Sequence, residues 1–140
     1  MFASILWPML AQVGWTFLLY AWLTLARWQA VGRGAVNYSE FEFNRAEPPE
    51  VARIRLNLAN QFELPVIFYA VVVLLVALGR VTAIDLVAAW VFVAGRVVHT
   101  LVQTLTDNVP LRGNVFLINF FAVTVLLLHV ALLALQGVGG

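Results

Sequence analysis

Residues Arg53–Leu78 read RIRLNLANQFELPVIFYAVVVLLVAL, a polar, arginine-bearing start that turns without interruption into an apolar run. At 100° per residue Arg53, Asn57 and Asn60 fall within about 60° of one another, and Glu63 widens that strip to about 120°. A soluble helix would turn such a strip to water. This one continues into a stretch apolar enough to cross a bilayer, so its polar strip must face other helices or a wet cavity. An ionisable residue in that setting marks a candidate functional site. The competing role is helix glue, which Asn60 and Gln61 can supply through interhelical hydrogen bonds.

The remainder of the 140-residue chain agrees with a membrane setting. Hydrophobic residues make up 63% and charged residues 11%, far from the soluble averages of about 45–50% and about 25%. We therefore expect an all-α integral membrane protein forming one domain over residues 1–140. A net charge of +1 does not suggest a nucleic-acid partner. The chain has no cysteine, which removes disulfides, a protein thiolate nucleophile and cysteine metal sites, so any thiol chemistry must come from a ligand. With no cysteine and most carboxylates in the first loop, no metal site is expected. His99 taken alone reads as a hydrogen-bonded interior histidine, and His129 is given no role.

Four spans are expected, at about 5–26, 48–78, 83–105 and 115–135. From Ile5 to Ala26 there is no charge, giving ~33 Å of helix against a hydrocarbon core of about 30 Å. That terminus lacks the positive leader of a signal peptide and reads as a span. Pro48 and Pro49 followed by Glu50 suit a helix start. Pro65, inside the second span, should kink it and free a carbonyl near Gln61. The third span carries Arg96, His99 and Gln103 within about 60° on one face.

Glu63 lies ten residues past Arg53, ~15 Å deep, and Arg96 eleven residues before Asp107, ~16 Å deep. An unpaired charge there costs about 2.5–3.5 kcal/mol on insertion scales. Pairing of Glu63 with Arg96, within a subunit or across an interface, is thus expected. It would serve either to fix packing or to leave Arg96 as a donor to an anionic ligand beside Asn57, Asn60, His99 and Gln103.

These residues resemble the MAPEG family, the membrane-associated proteins in eicosanoid and glutathione metabolism, which include the microsomal glutathione transferases. The resemblance covers about Glu47 to Leu135 and rests on four features in order. They are Arg53-x-Arg55, Asn60-x-x-Glu63 with a nearby proline, Arg96-x-x-His99, and Leu111-Arg112 opening the fourth span. It implies a left-handed four-helix bundle assembled as a homotrimer, with sites between subunits facing the cytoplasm. It also implies glutathione as co-substrate and an apolar electrophile or lipid hydroperoxide arriving through the surrounding membrane lipids. Carried over residue by residue, Asn60 and Glu63 match the pair that contacts glutathione, and Arg53 or Arg55 the carboxylate-binding arginine; Arg27 and Arg33 are further candidates. Asn57, His99 and Gln103 complete the pocket, and Arg112 or Arg96 is the catalytic arginine that stabilises the thiolate. Leu56 stands where several enzymatic members have arginine, and Gln103 where some have tyrosine. The implied activity is a glutathione transferase or peroxidase; the alternative is a non-catalytic lipid-binding member on the same scaffold.

Arginine placement orients the expected bundle. The first connection and its flanks hold Arg27, Arg33, Arg45, Arg53 and Arg55, the third connection holds Arg112, and the second holds only Arg80. By the positive-inside rule the first and third connections are cytoplasmic and both termini are not. A cysteine replacing Ser39 is accordingly expected to react with an impermeant thiol reagent from the cytoplasmic side alone; reaction only from the opposite side would reverse the topology.

Overall fold

The computed structural model describes residues 2–43 and 45–137. It is all helical: α1 Phe2–Gly32, a 3₁₀ turn Tyr38–Phe41, α2 Pro49–Asn60, α3 Leu64–Ala77, α4 Ala83–Leu105 and α5 Val109–Leu135. Four stretches, Ser4–Gly32, Pro49–Ala77, Ala83–Leu105 and Val109–Leu135, are long and apolar enough to cross a membrane. The protein is a multi-pass integral membrane protein. The α1–α2 connection and the α4–α5 turn lie at one end of the bundle, here called the loop end; the α3–α4 turn lies at the far end.

Two helix ends follow directly from glycine. Gly34 (φ 72°) and Gly79 (φ 68°) adopt left-handed backbone. The residues after them return hydrogen bonds to the last turn, Ala35 N–H to the Ala30 carbonyl at 3.0 Å and Arg80 N–H to the Leu75 carbonyl at 3.1 Å. This arrangement satisfies carbonyls that a helix end would otherwise orphan. The charge-free run ends at Ala26, yet α1 continues six residues further. The loop folds back to support that extension: the Arg27 guanidinium lies 4.9 Å from the Phe41 ring centroid, and Arg27 reaches the Glu47 carboxylate at 3.5 Å. Ala30 and Val36 are buried beneath, in a cluster with Leu19, Leu23, Val51 and Ile54.

α4 is the helix the others pack around, touching α1, α2 and α5, while α3 packs on α1 and α5. The larger apolar cluster fills the far half, where the Phe68 and Phe92 rings stack with centroids 4.4 Å apart. At the α4–α5 contact Gly95 lies directly against the fully buried Asn119. A Cβ at position 95 would overlap the Asn119 amide oxygen. Neither amide atom of Asn119 has a hydrogen-bond partner within the described residues, so the close approach is steric.

Gly95→Ala should therefore destabilise the protein in detergent by about 1–3 kcal/mol through overpacking. Adding Asn119→Ala should recover most of that loss, because the two positions are in contact and their effects are not additive. Equal melting of Gly95→Ala and the parent would show that α4 and α5 do not approach this closely.

Candidate functional site

The second span does not merely kink at Pro65. It breaks over Gln61–Glu63 into α2 and α3, with Pro65 in the first turn of α3. A helix broken inside hydrocarbon leaves backbone carbonyls that no water can satisfy, so protein groups must take them. Arg96, fully buried on α4, does this: its Nη2 donates to the Asn60 carbonyl at 3.3 Å and its Nε to Gln61 Oε1 at 3.4 Å. Of the two forms expected for the Glu63–Arg96 pair, the one within a subunit is not made. Among the described residues no ion pair joins them within the subunit. The break itself is the reason: Glu63 becomes the residue preceding α3 and is exposed on the bundle surface.

From the break a polar seam runs through the bundle. Gln12 Nε2 donates to Gln61 Oε1 at 2.9 Å, and Gln61 Nε2 donates to Asn57 Oδ1 at 3.2 Å and to the Asn57 carbonyl at 3.1 Å. Thr100 Oγ1 donates to Asn57 Oδ1 at 2.8 Å while accepting from Trp15 Nε1 at 3.1 Å. Asn57 Nδ2 then donates to Gln103 Oε1 at 2.8 Å. Each amide in the seam fixes the orientation of the next. The outcome is that Gln103 has its oxygen engaged and its amide N–H groups left for the adjoining cavity.

That cavity, of about 420 Å³, is lined by Asn60, Glu63, His99, Gln103 and Arg112, with Leu56 and Phe116 among its apolar walls. A smaller recess of about 170 Å³ adjoins it toward the loop end, sharing Leu56, Gln103 and Arg112 and adding Arg53 and Asp107. Asn60 Oδ1 and His99 Nδ1 are buried without a hydrogen-bond partner among the described residues, and buried polar atoms in that state mark places where water or a ligand completes the set. Among the described residues Arg112 forms no ion pair. The other arginines of the strip are engaged: Arg53 with Asp107, Arg33 with Glu50, and Arg55 with Glu47 at 2.7 Å.

The chain belongs to the MAPEG family. The family model matches residues 5–132, nearly the whole chain. No curated protein and no solved structure matches it. For a MAPEG protein the positions carried over from the resemblance divide cleanly. Asn60, Glu63, His99, Gln103 and Arg112 meet around one cavity, with Arg53 in the recess beside it. Arg55 is turned to Glu47, which it shares with Arg27. Asn57 and Arg96 lie fully buried behind the cavity wall, where they hold Gln103 and the helix break in place. Sequence reasoning missed Gln12, Trp15 and Thr100 as members of the seam. Gln12 was open to detection, as an amide within the charge-free first span. The partner of Thr100 lies 43 positions away in sequence and had no local signal.

Arg96→Met should lower thermal stability in detergent by about 1–3 kcal/mol, since it removes the bonds to Gln61 and the Asn60 carbonyl and leaves the latter only the long 3.5 Å bond from Glu63 N–H. Glu63→Gln should stay within about 0.5 kcal/mol of the parent, as expected of a side chain with no ion-pair partner among the described residues. Comparable losses in both variants, without further loss in the double variant, would restore the ion pair.

Proposed function

We propose that this MAPEG protein is a membrane-embedded glutathione transferase or glutathione-dependent peroxidase. The observation that carries the reading is the meeting of Asn60, Glu63, His99, Gln103 and Arg112 around one cavity whose rim holds Arg112, which forms no ion pair among the described residues. Glutathione offers two carboxylates, an amine, amide groups and a thiol. Glu63 suits the amine, Asn60 and Gln103 the peptide groups, and guanidinium groups the carboxylates, with bidentate geometry adding specificity. Arg53 takes a carboxylate by exchanging it for Asp107, an exposed partner whose pairing is weak in water.

Arg112 is assigned the thiol. A thiol of pKa about 8.5 becomes largely thiolate at neutral pH beside a cation in a poorly hydrated site, as cysteine thiolates do. The proton leaves to solvent at the loop end, and the sulfur lone pair then attacks the electrophilic carbon of an apolar substrate, expelling its leaving group. With a lipid hydroperoxide it attacks the terminal peroxide oxygen, the O–O bond breaks to give the alcohol after protonation, and a second glutathione converts the resulting sulfenic acid to glutathione disulfide and water. Either substrate reaches the cavity through the bilayer. Arg96 is assigned a positioning role instead, because its N–H groups hold the Asn60 carbonyl and Gln61.

The same geometry favours a homotrimer with the site at a subunit interface. Glu63 is exposed on the subunit midway along the Pro49–Ala77 span. A carboxylate at that depth does not face lipid, so a second subunit covers it. The arginine-rich loop end faces the cytoplasm, where glutathione enters, and the termini lie on the other side.

Ultraviolet absorbance of the thiolate on adding glutathione to the purified oligomer tests the assignment. Arg112→Ala should abolish the signal, retain binding and lower turnover by about 10²–10³-fold, the usual cost of losing one charge-stabilising donor. Loss of the signal in Arg96→Ala alone would move the role to Arg96. Absence of glutathione binding at millimolar concentration in the parent would end the enzyme reading.

A further inference from the structure

At the far end of the bundle, remote from the glutathione cavity, lies a second polar cluster. Thr82 and Asp85 cap α4 reciprocally: the Asp85 carboxylate accepts from Thr82 N–H and Oγ1, each at 2.7 Å, and Asp85 N–H donates to Thr82 Oγ1 at 3.3 Å. His129 of α5 brings Nδ1 within 2.9 Å of both Asp85 oxygens. Asp85 is only 1% exposed, whereas the His129 side chain is 23% exposed. The cap alone accounts for Thr82 and Asp85, but it does not call for a histidine.

A carboxylate on Nδ1 fixes the imidazole and leaves Nε2 as its outward-facing polar atom. Among the described residues Nε2 has no partner. His129, Asp85 and Thr82 line a cavity of about 320 Å³ that is otherwise apolar, with Leu128 and Leu132 on one wall. Through Ile84 and Val125 this cavity runs into a groove of about 610 Å³ between α4 and α5. The groove exists because its floor is small: Ala88 and Ala122 sit buried at its base, while Val87, Val91, Ile118 and Phe121 stand exposed as its walls. From His129 to Ile118 the groove follows α5 for ~16 Å, half of a hydrocarbon core of about 30 Å. That is the reach of an acyl chain belonging to one leaflet.

We propose that this groove is a binding site for a neutral single-chain lipid with a hydroxyl-bearing head, the head hydrogen-bonded to His129 Nε2 and the tail lying over Ala88 and Ala122. A hydroxyl both donates and accepts, so it satisfies Nε2 whether the ring is neutral or charged. A carboxylate head would set a second negative charge beside buried Asp85, with no arginine or lysine among the residues lining the cavity. The site is independent of the glutathione reading and stands or falls without it.

The test uses the full chain in phosphatidylcholine nanodiscs with a monoacylglycerol bearing a photoreactive group in its tail. Labelling should map to Val87, Val91 and Phe121 and be displaced by unlabelled monoacylglycerol. It should fall about tenfold in His129→Phe, the worth of one hydrogen bond in an apolar site. His129→Gln, which keeps a donor for Asp85 and a polar tip, should recover part of it, and Ala122→Leu should abolish it by filling the floor. Should His129→Phe fail to fold, the glutamine and leucine variants decide. Labelling that spreads over every lipid-facing surface and ignores these substitutions would overturn the proposal in favour of ordinary surrounding lipid. Disulfide capture between Ile84→Cys on one subunit and Phe121→Cys on another would overturn it by showing that a second copy fills the groove.

Discussion

The contact between the Arg96 guanidinium and the Asn60 carbonyl is the constraint on which the rest of this bundle depends. Without that donor, the carbonyl ending α2 would keep only a long 3.5 Å bond from Glu63 N–H, inside hydrocarbon where an unsatisfied backbone group costs several kcal/mol. A lysine would offer a single point charge. The planar guanidinium reaches a backbone carbonyl and a side-chain amide from one residue, so α2, α3 and α4 are held in one register. Because the break is tolerated, Glu63 leaves the helical strip and reaches the cavity, while Gln61 turns inward. The site is thus a consequence of a helix being interrupted.

Behind the cavity the seam of Gln12, Gln61, Asn57, Thr100 and Gln103 does the work that a hydrophobic core does in water. In lipid there is little hydrophobic gain from burying one apolar helix face against another, so packing and interhelical hydrogen bonds carry the association. Each bond in such a seam is of modest strength. Its greater effect is orientation, since Gln61 and Asn57 have both oxygen and nitrogen committed and Gln103, held by its oxygen, presents its amide N–H groups to the cavity. The division between Arg96, buried and bonded within the subunit, and Arg112, partly exposed and in no ion pair among the described residues, follows from the same geometry. One arginine supports the helix break and the other lines the cavity.

Membrane residence, the number of spans and the polar strip were legible from residue order alone, because each depends on local composition and on the fixed 100° step of a helix. Arg53, Asn60, Glu63, His99, Gln103 and Arg112 stand out for the same reason: polar residues in apolar spans are few, and helical periodicity says which share a face. The fate of Arg55 was not legible. Its spacing matches that of a ligand-binding arginine, but Glu47, in the loop, and Arg27, on the first helix, meet it only when the loop folds back.

Depth along a helix axis is therefore what the sequence determined, since a rise per residue converts position into distance. Azimuth was determined only as far as the helix stayed continuous. Pro65 announced a disturbance, but a proline does not say whether a helix bends or breaks; that depends on whether another segment supplies a donor for the freed carbonyl. Arg96, from 36 residues away, supplies a donor to the neighbouring Asn60 carbonyl where α2 ends. Glu63 and Arg96, level in depth, were thereby turned to different surroundings, and the His129–Asp85 contact formed between segments 44 residues apart. Tertiary structure decided which polar groups became partners, because the low-dielectric interior leaves no water to satisfy the ones that packing passes over.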